Sequence, residues 1–124
     1  MKNQKFYFVA IFIFVTGIAT GLAMSGKLNK DNAPTSKMVL DNARVNITEV
    51  TAAPKSEREP YTRPSDQIIV FIDEADYEST DAAGKKILKH RVPGEIVWHN
   101  KGEAAPLLVN KGRKAYRNLV IALK

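Results

Sequence analysis

The chain has 124 residues, with 19 Lys and Arg against 13 Asp and Glu, a net charge of +6 and no cysteine. That length leaves room for one domain, and the lack of cysteine excludes a disulfide framework, a thiolate metal site and a cysteine nucleophile. About +4 remains beyond Ala23 once Lys2 and Lys5 are set aside, and these basic residues are spread among acids without interleaved aromatics, which excludes a nucleic-acid stacking platform.

The first element is apolar. Residues 6–26 carry no charged side chain and open Phe-Tyr-Phe-Val-Ala-Ile-Phe-Ile-Phe-Val. Roughly 20 helical residues cross the hydrocarbon core of a bilayer, and a helix satisfies its own backbone amides there. Two readings stand for residues 1–24. As a signal peptide, Lys2 and Lys5 form the charged start, and Gly21 with Ala23, or Ala19 with Gly21, mark the cleavage site. As a transmembrane anchor the segment stays in the membrane. Neither site is a clean Ala-x-Ala, which favours the anchor. Both readings deliver the rest of the chain outside the cytoplasm, to the cell envelope, or to the periplasm or medium if the segment is removed. Residues 25–43 are rich in Lys, Asn, Asp, Ser and Thr and read as a flexible linker.

Strand signals follow in the 44–124 domain. Val45, Ile47 and Val50 sit among polar residues in a short first strand over 44–51. Residues 52–64 hold Pro54, Pro60 and Pro64 and read as an extended, irregular connection. Gln-Ile-Ile-Val-Phe-Ile at 67–72 has the β-branched composition of a strand buried on both sides, with Val70 and Phe71 at its centre. Strands at 75–80 and 85–92 flank a hairpin turn at Asp81-Ala-Ala-Gly84, and Pro93-Gly94 makes another turn. Strands at 95–99, 105–110 and 115–123 complete seven, with a turn at Lys111-Gly112. Beyond the first segment no helical periodicity is sustained, so the domain reads as an all-β sandwich or barrel.

From Tyr61 to Lys124 the order of strands and turns resembles the small single-domain cupins, a jelly-roll barrel. The likeness rests on the buried strand after a Pro-rich entry (Tyr61-Thr62-Arg63-Pro64-Ser65-Asp66-Gln67), on the Pro93-Gly94 turn with Glu-Ile-Val-Trp-His after it, and on the apolar final strand. Of the family's second motif, Gly94 and Gly102 keep their separation. Its Pro, His and Asn fall on Asn100, Ala105 and Val109, with Asn110 one place late. The first motif, His-x-His and then Glu, falls on Tyr61, Arg63 and Gln67. The family's four metal positions are therefore held by Tyr61, Arg63, Gln67 and Ala105. Arg63 repels a cation and Tyr is a poor ligand at neutral pH, so the resemblance implies a barrel without the usual metal site or any cofactor. His90 and His99, on neighbouring predicted strands, offer imidazoles with Glu95 or Glu103 nearby, but no zinc-ligand spacing.

No nucleophile elbow surrounds Ser56, Ser65 or Ser79, and Asp73, Glu74 and Asp76 adjoin a turn. What the resemblance leaves is a pocket at the barrel mouth lined by Tyr61, Arg63, Gln67 and His99, suited to a carboxylate or a sugar hydroxyl. The leading expectation is a non-enzymatic, membrane-anchored or exported cupin-like module that binds a small polar or anionic ligand or an envelope protein. The alternative is a small cupin-type enzyme acting on a sugar or small acid with an unusual or absent metal. A homodimer stays open.

Overall fold

The computed structural model describes residues 32–124. The apolar segment 6–26 and the first part of the expected linker lie outside the described residues. Eleven strands follow in order: β1 (Thr35–Asp41), β2 (Val45–Ala52), β3 (Glu57–Arg58), β4 (Tyr61–Thr62), β5 (Gln67–Phe71), β6 (Ala75–Thr80), β7 (Lys86–Arg91), β8 (Ile96–His99), β9 (Ala104–Ala105), β10 (Leu107–Asn110) and β11 (Tyr116–Leu123). All pairings are antiparallel. They form a five-stranded sheet in the order β1-β2-β11-β5-β8, a four-stranded sheet β3-β10-β6-β7 and a two-stranded ribbon β9-β4. The described region is all-β, as the sequence indicates.

β11 organises the larger sheet. It pairs with β2 from Tyr116↔Ala52 to Leu123↔Val45 and, along its other edge, with β5 from Asn118↔Phe71 to Ala122↔Gln67. Strand side chains alternate between faces. Tyr116, Phe71 and Ala52 therefore point inward, where they meet Ala75 and Tyr77 of β6. The three rings stand 6.1 to 6.3 Å apart between centroids, within the range of favourable aromatic pairs. This cluster, with Ile69, Val97 and Leu108 packed against it, is the core. The other inward residues are too few and too polar to fill the space between the sheets.

The outward alternates are also apolar. Leu40, Ile47, Ile121, Ile68 and Trp98 sit opposite one another in a single row across all five strands. β5 is thus not buried on both sides. Phe71 is 5% exposed, whereas Val70 faces out and is only half-buried, because no second layer covers that face among the described residues.

Three further boundaries differ from the sequence reading. Residues 35–41, read as linker, form edge strand β1. All seven of its side chains are exposed, so the strand rests on backbone pairing with β2, and Met38, Val39 and Leu40 lie on the exposed edge of the domain. The connection 52–64 contains β3 and β4, two residues each, held by pairing with β10 and β9. The single strand expected over 105–110 is divided at Pro106, which has no N–H to give to a ladder. The turns hold as read. Gly84 and Gly94 adopt φ of +85° and +87°, the left-handed region that glycine enters without steric cost.

Candidate ligand-binding site

The two larger sheets enclose a cavity of about 820 Å³, and Tyr61, Arg63, Gln67 and His99 all line it. Pairing brings them together: Gln67 at the start of β5 is the register partner of His99 at the end of β8. Arg63 extends the β4–β9 ribbon, its amide donating to the Glu103 carbonyl at 3.0 Å while the Gly102 amide donates to the Arg63 carbonyl at 2.8 Å.

Tyr61, Arg63 and Gln67 form one hydrogen-bonded cluster. Arg63 Nη1 donates to Gln67 Oε1 at 2.9 Å and to the Tyr61 hydroxyl at 3.2 Å. The Tyr61 hydroxyl donates to the same Gln67 oxygen at 3.4 Å. Arg63 is 4% exposed and Gln67 5%, so a full positive charge lies inside the barrel against two neutral groups.

The metal positions do not fit a metal. Arg63 brings a cation, Tyr61 and Gln67 are committed to it, and Ala105, the register partner of Tyr61, offers only a buried methyl. Among the described residues no three His, Asp or Glu side chains gather as a metal would require. The two histidines lie on consecutive strands that belong to different sheets. His90 on β7 faces out, with Nδ1 2.7 Å from Asp76 Oδ1; this hydrogen bond, opposed by loss of hydration, holds the imidazole pKa above its ordinary value. His99 lines the cavity with Nδ1 3.0 Å from Glu103 Oε2. The Asn100 amide and then His99 keep the Glu103 carboxyl below the usual carboxylate range.

Sequence reasoning missed Arg58. From β3 its guanidinium enters the cavity, donates to the Pro106 carbonyl and stands 5.2 Å from the centre of the Tyr61 ring; Arg63 stands 5.6 Å from the same centre. Burial depresses the Arg58 pKa, the tyrosine hydroxyls oppose this, and Arg63 adds to it; a guanidinium still stays charged at neutral pH. Tyr116, deeper in, is pushed up to about 12 by burial and remains a phenol. The only signal for Arg58 in the sequence is an Arg between two glutamates in a Pro-rich stretch, which reads as solvated. Asn110, one place beyond the position of the family motif's Asn, closes β10, and its role is structural. It is 2% exposed, donates to the Ala52 and Lys114 carbonyls and accepts from the Gly112 amide.

An antiparallel double-sheet jelly roll with a polar-lined interior defines the class of the molecule. No family model matches the sequence, and no curated protein matches it. Solved structures do. A cupin domain from Bordetella pertussis Tohama I superposes with a TM-score of 0.67 at 17% identity, covering 74% of this chain and 94% of that one. The polyketide cyclase RemF from Streptomyces resistomycificus gives 0.61 at 17%, over 81% and 80%. An uncharacterized protein with a double-stranded β-helix domain from Klebsiella pneumoniae gives 0.58 at 22%, over 76% and 80%. The chain has the fold of the small cupins.

Proposed function

We propose that this chain is a metal-independent binding module of cupin fold that holds a small polar anion in its cavity, displayed outside the cytoplasm by the apolar segment 6–26. The observation that carries the reading is Arg63, buried in the barrel, whose guanidinium is hydrogen-bonded to the neutral Tyr61 and Gln67 and forms no ion pair among the described residues. A buried charge without an opposite partner is costly, and a site that keeps one is suited to a ligand that completes the pair. Charge-assisted bonds from guanidinium to carboxylate or phosphate are short, strong and directional. The cavity volume falls within the range of small-molecule sites.

A second reading, a small enzyme acting on a sugar or small acid, is favoured by one feature. His99 is oriented by Glu103 on the cavity wall, the arrangement a general acid or base needs. The likeness to a polyketide cyclase is compatible with it, but a shared fold does not carry activity across.

The test is thermal unfolding of the full chain, purified in mild detergent, against a panel of carboxylates and phosphate esters. A ligand at a hundred times its Kd stabilises by about 2.7 kcal/mol, which raises the midpoint of a domain of this size by roughly 10 °C. Arg63→Gln should lose that shift while retaining its unliganded midpoint. A panel that shifts nothing, or shifts Arg63→Gln equally, would overturn the reading.

A further inference from the structure

We infer that the cavity is built for a small organic dianion that also carries a hydroxyl group, gripped between Arg58 and Arg63; this rests on the anion-binding reading above. The first support is the pairing of like charges. Both guanidinium groups flank the Tyr61 ring, 5.2 and 5.6 Å from its centre, and among the described residues neither forms an ion pair. The acids on the same wall are Glu57, Glu59 and Glu103, and Glu103 is taken up by His99 and the Asn100 amide. The other cations on the lining are Arg91, already bound to Glu95, and Lys89, half-buried on β7. A single negative charge leaves one of the two central guanidiniums uncompensated, whereas two negative charges answer both.

The second support is independent of charge. Four buried side-chain atoms among the described residues have no hydrogen-bond partner in the protein: Ser56 Oγ, Arg58 Nε, Arg63 Nε and Asn118 Oδ1. All four residues line this one cavity. Buried polar atoms are paired almost everywhere in folded proteins, so a cluster of exceptions around one space marks what that space receives. The two Nε–H groups require acceptors, which anionic oxygens supply. Asn118 Oδ1 requires a donor and, with the amide turned over, its Nδ2 requires an acceptor; a ligand hydroxyl meets either, whereas a carboxylate or a fully ionised phosphate meets only the second. Ser56, 3% exposed, can serve either way. The volume, about 820 Å³, exceeds that of a bare inorganic ion and suits a molecule of several carbons. Hydroxylated dicarboxylates and phosphate esters of polyols share this chemistry.

The experiment is isothermal titration of the full chain in detergent with malate, succinate, lactate, glycerol 3-phosphate and inorganic phosphate. Malate or glycerol 3-phosphate should bind at least about tenfold more tightly than lactate, since one charge-assisted hydrogen-bonding group is added; which of the two prevails separates the carboxylate source from the phosphate source. Malate should exceed succinate by about fivefold through the hydroxyl, and Asn118→Leu should erase that ratio. Arg58→Gln should bring the dianions down to the affinity of lactate while leaving lactate within about threefold, whereas Arg63→Gln weakens every anion. Inorganic phosphate binding as tightly as every organic anion would overturn the organic requirement. Lactate matching the dianions, with Arg63→Gln still losing both, would overturn this inference and leave anion binding standing. No heat with any anion would overturn both. If Arg58→Gln does not fold, Arg58→Lys and the wild-type ratio of lactate to malate decide the matter on their own.

Discussion

Arg63 and Asn110 show two ways of placing a polar side chain inside a barrel. Arg63 shares its Nη1 protons with neutral neighbours and leaves its buried Nε–H without a partner among the described residues, which suits a group kept for a ligand. Asn110 spends every bond on the chain itself. Its amide donates to the carbonyls of Ala52 and Lys114 at 2.9 and 3.0 Å and its oxygen accepts from Gly112 at 2.8 Å. Asn110 thus joins the end of β2, the end of β10 and the approach to β11. A Cβ at Gly112 would stand 3.3 Å from that oxygen, so the turn is fitted closely around it. Asn110→Ala strands two carbonyls and an amide, and should cost about 2–4 kcal/mol in urea unfolding. A loss under about 1 kcal/mol would show that water or a shifted turn satisfies these groups instead. In sequence, Tyr61, Arg63 and Gln67 were legible as a trio because a motif spaces them. Arg58 was not, since nothing local distinguishes an arginine that points inward from one that points to water.

At the level of elements, the alternation of β5 decides what each of its residues does. Phe71 sits against Tyr77 and Tyr116 in the core, whereas Val70 faces outward, opposite Ile96 and Leu119. Phe71→Asp places an unpaired carboxylate inside the barrel and should unfold the domain, a cost of several kcal/mol. Val70→Asp, half-exposed, should cost no more than about 1–2 kcal/mol. Guanidinium denaturation of both variants checks the contrast, and equal losses would show that the outer face is covered. Strands such as β5, β6 and β11 could be read because β-branched and aromatic residues recur through them. β3, β4 and β9 could not, because two-residue strands have no period, and β1 could not, because an edge strand needs only backbone partners. The outer row from Leu40 to Trp98 is invisible in one dimension, since its members come from five strands joined only by register.

The described residues form a partly filled barrel. Among them six apolar side chains are buried, two of them tyrosines and three alanines. A core this small leaves the upper barrel open to polar residues, which is why a cavity and not a packed interior lies between the sheets. Among the described residues no helix is long and apolar enough to cross a membrane; the proposed membrane attachment is a reading of the segment 6–26. Fractionation of cells expressing the full chain tests it. Recovery in the membrane pellet, released by detergent and not by high salt or carbonate, is the expected result. A shortened N-terminus in the soluble envelope fraction would assign the segment as a signal peptide and remove the anchor.

By itself the sequence determined the all-β class, most strand positions and the glycine turns, because each depends on local composition or on fixed spacing. It also determined that Tyr61, Arg63 and Gln67 belong to one place. Tertiary structure alone decided that Arg58, Ser56 and Asn118 join them, that His90 and His99 part into different sheets, and that residues 35–41 are strand. Those outcomes depend on register between distant segments and on which side of a strand meets the interior. Both are set by the energy of the assembled sheets, not by any residue's neighbours along the chain.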